Sequence, residues 1–435
     1  MKIAIIGAGF GGLAAAYDLA RAGHTVTIYE EDAQVGGLAG GFREPHWDCS
    51  IERYYHHWFE SDHHLLAFID SLGWRDKVQF HRPKTVMYHQ SKFYPFDSVL
   101  TALLFPGLGW GVHKLRFGLV GLFLRLTNNW QALEKVTAHH WMRRWAGDDV
   151  YQTMWEPLLI GKFGSMYQQV NMAWLWARLK VRTTRLGTFQ GGMQAFADAL
   201  ADELRRLGVS INLTTPVQRI TSSPSQDNDE AANKIFLEIQ GEYIIYDRCL
   251  VTSSPHQFAQ LAPQLPSTYL EGLMKLKHLG AVVVVLALHH ELSSQGFYWF
   301  NLQKSAGFPF LALVEHTHFA STEAFGGDHI IYCGDYLETQ HEYFKLSQAE
   351  LLERFLPALQ RIQPNFESSW IRKSWLFRTS YAQPLPFVNH SQNIPSIQTP
   401  LPGLFFASMS QVYPWDRGTN FAIELGKKAA SLIMI

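Results

Sequence analysis

The sequence predicts an α/β protein in which a parallel-sheet domain is interleaved with a second domain of mixed sheet and helices. Three observations predict it. The chain opens on a strand, a glycine turn, a helix and a second strand, all within residues 1–30. Buried-strand patterns return far downstream at Val209–Leu213, Asp247–Pro255 and Leu404–Ala407, so later segments complete the first domain. Between them, residues 97–182 lack strand alternation and are rich in Leu, Trp and Arg, whereas 256–389 alternate strands and helices. The first domain is accordingly assigned 1–80, 185–255 and 390–435, and the second 81–184 and 256–389.

The opening unit is Rossmann-like and suited to a dinucleotide. Ile3–Ile6 is an apolar run, as a buried parallel strand requires. Gly7 permits the tight turn, Gly9 lets backbone approach a pyrophosphate, and Gly12 lets the helix lie close to the strand. Ala8, Phe10 and Gly11 complete a helix N-terminus that presents free N–H groups and a positive dipole to phosphates. The second strand, with Val26 and Ile28, ends at Glu30, whose carboxylate can accept hydrogen bonds from ribose hydroxyls. Glu31 and Asp32 add negative charge, which disfavours a phosphorylated ribose.

Further along, residues 63–80 read as an amphipathic helix. Gly191-Gly192-Met193 precedes a helix, Gln194–Leu207, stopped by Gly208. After the strand Val209–Leu213 comes another element, Val217–Ile220. Ser222–Asn233 is polar and acidic and reads as an exposed hairpin loop between that element and the strands Ile235–Ile239 and Tyr243–Tyr246. Ala281–Leu288 is short, β-branched and uncharged, the pattern of a central strand. Prolines at 384, 386, 395, 400 and 402 mark the last return to the first domain, and Asn420–Ile435 is the terminal helix.

Composition narrows the function. With 37 Lys+Arg against 38 Asp+Glu, the formal charge is −1, and no basic surface for nucleic acid is implied. Three separated cysteines, Cys49, Cys249 and Cys333, have no metal-ligand spacing and fit a reducing, cytoplasmic compartment. The paired histidines His56-His57 and His63-His64 lack a carboxylate or cysteine to complete a site, so no metal is expected. The uncharged run Ile3–Tyr17 after Lys2 imitates a signal peptide, but the glycine fingerprint inside it accounts for the run. No segment has the length and apolarity of a transmembrane helix.

Gly36-Gly37 follows Glu30 at a six-residue interval and is succeeded by Leu38. This resembles the E-x5-G-G extension of the flavoprotein family that contains amine oxidases, protoporphyrinogen oxidases, phytoene desaturases and UDP-galactopyranose mutases, and it implies FAD, which is expected to be noncovalent because no cysteine lies near the C-terminal motif. Other motifs resemble the same family. Ala146 to Tyr151, with Glu156-Pro157-Leu158-Leu159-Ile160-Gly161-Lys162-Phe163, is similar to the protoporphyrinogen oxidase pattern G-x-x-V then E-P-L-L-x-G. Gly191-Gly192-Met193 with Val217 resembles a segment whose valine backbone clasps the adenine. Pro402 to Ala407, then Gly418 to Ala422, resembles the terminal motif that closes the flavin pocket with a helix N-terminus. The resemblance thus implies cofactor contacts at Met409, Asp416, Arg417, Gly418, Thr419 and Asn420. The chain departs from the pattern at Ser408-Met409, where Gly-Asp is usual, at Leu38, where amine oxidases have Arg, and at Asp48-Cys49-Ser50, where Asp-x-Gly is usual.

Residues expected to face the reacting atoms are Tyr54, His56, His57, Lys162, Tyr413 and Trp415. The resemblance implies an FAD-dependent oxidoreductase acting on a large apolar or amphipathic small molecule or lipid. It leaves two rivals: an isomerase similar to UDP-galactopyranose mutase, and a non-catalytic prenyl-binding protein. The intact Gly7/Gly9/Gly12/Glu30 set argues against the second. Arg143, Arg144, Arg178, Lys180, Arg182 and Arg185 read either as a solvated helix face or as an anion-binding rim. Residues 105–126 mix Leu, Phe and Trp110 with Lys114, Arg116 and Arg125, a composition for either a substrate-channel helix or peripheral contact with the inner membrane surface.

Overall fold

The computed structural model describes residues 1–222 and 234–435. The opening strand Lys2–Ile6 lies at the centre of a five-stranded parallel sheet. Thr25–Tyr29 and then Ser210–Asn212 flank it on one side, Arg248–Val251 and then Leu404–Phe406 on the other. The sheet is therefore assembled from segments up to four hundred residues apart, as about that separation between its first and last strands shows. On one face lie the helices Phe10–Arg21, Met193–Arg206 and Thr419–Ile433, whose apolar stripes share a core with Ile3, Ile5, Val26 and Ile28. The first and last of these helices cross at glycines: a Cβ on Gly426 would stand 2.1 Å from the Gly11 carbonyl oxygen. A three-stranded antiparallel sheet, Arg219–Ser222, Ile235–Ile239 and Glu242–Tyr246, covers the other face. The expected exposed loop between its first two strands falls mostly on 223–233, outside the described residues.

The second unit is built on a seven-stranded sheet in the order Ile371–Pro384, His278–Leu288, His329–Leu337, Ala312–Glu315, Phe297–Asn301, Lys84–His89 and Lys92–Pro95. All its pairings are antiparallel except that of Phe297–Asn301 with Lys84–His89. The β-branched run 281–288 is its buried inner strand, extended back to His278. The helix Gln348–Ile362 packs on one face of this sheet. Residues 99–181 form the expected helical part with a core of their own, rich in Trp and Met.

Two local differences from the sequence reading have physical reasons. The helix expected over 63–80 ends at Ser71, because Gly73 takes φ +75° and turns the chain into a strand, Val78–His81, that pairs with Leu186–Phe189. The two motifs at 146–163 become one continuous helical run, Asp148 to Phe163, with a π-turn at Tyr151–Trp155. Pro157 has no N–H to donate and crowds the preceding turn, so the ladder widens just before it.

Candidate functional site

A cavity of about 490 Å³ opens over the C-terminal ends of the parallel strands. This is where ligands lie in open α/β sheets. Its floor is the glycine turn. Gly7 sits at φ +106°, and a Cβ there would stand 2.4 Å from Thr252 Oγ1. A Cβ on Gly12 would stand 2.1 Å from the Gly7 carbonyl oxygen, so helix and strand meet at backbone contact. Gly37, at φ +58°, brings its Cα against the Gly9 backbone and joins the second glycine pair to the first.

Of the residues predicted to hold cofactor, Gly7, Gly9, Phe10, Gly11, Glu30, Glu31, Gly36, Gly37, Leu38, Val217, Met409, Arg417, Gly418 and Thr419 line this one cavity. Ala8 and Gly12 stand directly behind it. The Ala8 N–H donates to Glu30 Oε2 at 2.6 Å, and the Asp32 N–H donates to Glu30 Oε1 at 2.9 Å. Burial raises the Glu30 pKa above the ordinary carboxylate value, against the lowering by these two amides, and the neighbouring charges of Glu31 and Asp32 raise it further. The carboxylate is thus anchored by backbone on both oxygens, with lone pairs left for a ribose.

Two predicted residues turn elsewhere. Asp416 accepts from Trp174 Nε1 at 3.2 Å and from Arg178 Nη1 at 3.1 Å, so it belongs to the helical part rather than to the cofactor cavity. Asn420 spends its side-chain oxygen on the Leu65 N–H at 3.0 Å, capping the helix His63–Ser71. Residues that the sequence reading did not single out line the cavity as well, among them Arg53, Ser253, Arg378, Tyr381 and Ser408. Tyr381 comes from the second unit and its hydroxyl is 2.8 Å from Ser408 Oγ and 2.7 Å from Ser410 Oγ. Of these, Ser408 had a sequence signal, since it stands where the terminal motif departs from the usual pattern.

A second cavity, about 120 Å³, adjoins the first, and the two share Leu38, Tyr54, His56, Thr379 and Arg417 in their walls. Lys162, Arg178 and the aromatic residues Tyr55, Trp299, Tyr332 and Tyr336 complete much of its lining. Burial holds the Lys162 pKa down at about 8, and repulsion from Arg178 and Arg417 acts in the same direction. Burial would raise Tyr336, but Arg417 and Lys162 bring its pKa down to about 8. Lys162 Nζ lies 4.5 Å from the centre of the Tyr336 ring and 3.4 Å from Gln383 Oε1. The Arg417 guanidinium donates to the Tyr336 hydroxyl. Burial depresses His56 to about 4, so it is a neutral imidazole whose Nδ1 donates to the Tyr54 carbonyl.

Three predicted reaction-site residues do not reach this cavity. His57 is half-buried, with its Nδ1 enclosed and unpartnered, and its ring packs on Tyr55 and Phe59. Tyr413 donates to Glu134 and accepts from Asn171 at 3.0 Å, and its ring packs on Trp130. Trp415 is stacked between Trp176 and Phe421. The aromatic side chains of the 413–420 loop thus hold the helical part to the terminal helix, and only Arg417, Gly418 and Thr419 face the cofactor cavity. The basic group also divides: Arg178 lines the second cavity, while Arg143 pairs with Asp148, Arg185 with Glu60, and Lys180 donates to carbonyls.

These residues fit a bound flavin nucleotide. Arg417 Nε, at the junction of the two cavities, is a buried donor with no partner, and such a group needs an acceptor. Gly418 begins the fifteen-residue helix Thr419–Ile433, and a Cβ built on it would meet nothing within 4 Å, because it faces the cavity. Two helix N-termini, at Phe10 and at Thr419, therefore deliver free N–H groups into one space.

Comparison with known proteins bears on the same residues. A sequence model of the family described as flavin containing amine oxidoreductase matches residues 10–434. A probable zeta-carotene desaturase of Synechococcus elongatus is 28% identical over 179 residues, 36% of this chain and 37% of its own length. The chain thus matches little more than a third of that curated relative. Among solved structures, a candidate protoporphyrinogen oxidase from Exiguobacterium sp. 255-15 has a TM-score of 0.77 at 19% identity, covering 99% of this chain and 98% of that one. Reduced UDP-galactopyranose mutase has a TM-score of 0.76 at 14% identity, covering 100% and 95%. At these identities the two structures establish the fold alone.

Proposed function

The chain belongs to the flavin-containing amine oxidoreductases, and we propose that it is an FAD-dependent oxidoreductase that holds FAD without a covalent bond and oxidises a large apolar or amphipathic substrate. The observation that carries this reading is the meeting of a glycine-walled cavity with an aromatic one at Leu38, Tyr54, His56, Thr379 and Arg417. When bound, FAD supplies the two-electron acceptor. The chain's own residues do the rest. Gly9, Gly11, Gly418 and Thr419 offer backbone N–H groups to the pyrophosphate, and Glu30 accepts from the ribose. Trp299, Tyr332, Val283 and Val314 exclude water from an apolar substrate body. Lys162 can hold or release a proton at Nζ near neutral pH.

An apolar substrate is reached most easily at a membrane surface. On the helix Val112–Leu126, Leu115, Leu119, Leu122 and Leu126 recur at helical spacing and are all exposed, while Val120 and Leu124 are buried. Trp110, 88% exposed, stands beside them with Lys114 Nζ 4.8 Å from its ring centre. An apolar stripe flanked by Trp and Lys is the composition of an interfacial helix. No helix among the described residues is long and apolar enough to cross a membrane. Peripheral contact with anionic lipid is therefore part of the reading, with Leu119→Glu expected to abolish co-sedimentation with anionic vesicles while flavin content stays unchanged. Co-sedimentation equal to wild type would remove the membrane from the account.

Anaerobic mixing with candidate substrates tests the redox reading: the flavin colour should bleach with the true substrate and return with air. The second reading, a flavin-dependent isomerase, is supported by the cations Lys162, Arg178 and Arg417, which suit a substrate pyrophosphate. It requires turnover of a sugar nucleotide only after chemical reduction of the enzyme.

A further inference from the structure

The wall of the smaller cavity carries more positive charge than the protein neutralises. Lys162, Arg178 and Arg417 all line it. Two carboxylates are near. Asp416 is taken by Arg178 at 3.1 Å and by the Trp174 indole. Asp335 lines the cavity but pairs with Lys304 at 2.7 Å. Lys162 and Arg417 share the field of Asp416 with Arg178, one carboxylate for three cations, and their direct side-chain partners are neutral: the Gln383 amide oxygen at 3.4 Å for the lysine, the Tyr336 ring for both, and the Tyr336 hydroxyl for the arginine. The Tyr55 hydroxyl, in the same lining, is buried and unpartnered.

Charges removed from water are tolerated when they are paired and hydrogen-bonded. Here the missing partner is an anion. The Tyr336 hydroxyl points the same way: burial would raise its pKa, yet Arg417 and Lys162 bring it down to about 8. An ammonium head would instead add a cation to a wall that already has an excess of them. The remainder of the lining, with Ala281, Val283, Leu311 and Val314, suits an apolar body.

We propose that the substrate of this cavity carries a carboxylate or phosphate head held by Lys162 and Arg417, with its apolar body along the Val283–Val314 wall, and that amines are not its substrates. This rests on the reading of the larger cavity as the FAD site. It separates this chain from the amine oxidation named in its family's description.

The test uses the flavin-loaded protein and three probes with one tail: hexanoate, hexyl phosphate and hexylamine. Binding is read by calorimetry and by the difference spectrum of the bound flavin, and flavin content is measured on the same samples. At least one acid should bind about tenfold or more tighter than the amine, the ratio expected from a hydrogen bond to a charged group. The tighter of the two acids identifies the head group. Lys162→Gln should erase most of that preference, and Lys162→Arg should restore it. Hexylamine binding as tightly as both acids, no binding of either acid, or an unchanged preference in Lys162→Gln would overturn the proposal. The wild-type comparison stands even if the variants do not fold. A protein that takes up no flavin would instead overturn the reading beneath it.

Discussion

At the nucleotide end of the paired cavities the wall is backbone, and at the reaction end it is side chain. Gly7, Gly9, Gly11, Gly36, Gly37 and Gly418 line the first space with backbone; a Cβ on Gly7, Gly11, Gly36 or Gly37 would press on neighbouring protein atoms, whereas one on Gly418 would stand in open space. The second space is shaped by Tyr54, Tyr55, Trp299, Tyr332, Tyr336, Lys162 and Arg417, which come from separate elements of both units. The charges are also arranged differently: Glu30, Glu31 and Asp32 share the first lining with Arg53 and Arg378, whereas Lys162, Arg178 and Arg417 outnumber Asp335 in the second. A backbone site tolerates little change in shape and is indifferent to side-chain chemistry, whereas a side-chain site retunes its substrate by substitution without disturbing the fold.

The largest effect should come from a pair of glycines at the backbone end. In Gly12→Val the new Cβ meets the Gly7 carbonyl oxygen at 2.1 Å, so helix and strand must separate. Stability should fall by about 3 kcal/mol or more, with loss of flavin. In Gly418→Val the Cβ meets no protein atom, and the extended φ of 167° suits any residue. Its melting temperature without flavin should match wild type while flavin uptake is lost. Equal behaviour of the two variants in thermal melts and flavin content would erase the distinction between packing glycines and cavity glycines.

A second effect lies between the ends. Glu52 is 2% exposed, its carboxylate accepts from the Met193 N–H at 3.0 Å, and its carbonyl accepts from the Tyr332 hydroxyl at 2.9 Å. Burial pushes its pKa up to about 7, against the lowering by its backbone partners. The folded-state value lies above the unfolded one, so its contribution is fully present below the unfolded pKa and is lost as pH rises through about 7. From pH of about 4.5 to 8 this loss should be on the order of 3 kcal/mol. Glu52→Gln should flatten the dependence in denaturant melts across that range, and an unchanged slope would assign it to other groups.

The smallest effect belongs to Glu30. Glu30→Ala should weaken FAD binding by about 2 kcal/mol and Glu30→Gln by less, because the amide oxygen can still accept one of the two backbone N–H bonds. Unchanged affinity in both variants would show that the ribose is held elsewhere.

The same contrast explains what the sequence made legible. Gly7, Gly9, Gly12 and Glu30 lie within one strand–helix–strand unit, so their spacing alone encodes the geometry. Tyr381 and Arg378 reach the cofactor cavity from a strand of the second unit, and no local spacing announces them. Lys162 was visible only because it follows the E-P-L-L-x-G motif. An aromatic loop beside a cofactor motif places Tyr413 and Trp415 at the reaction site when only the sequence is considered. Asn171, Glu134 and Trp176 draw them into the helical core instead, and those partners lie about 240 to 280 positions upstream, a long-range packing that periodicity does not encode.

The most direct test of the central claim is the flavin itself. Protein purified under native conditions and precipitated with acid should release a yellow supernatant whose flavin chromatographs as FAD, at about one per chain, leaving a colourless pellet. Flavin retained in the pellet would contradict noncovalent binding, and a colourless protein that takes up no FAD on incubation would contradict the assignment of the glycine-walled cavity.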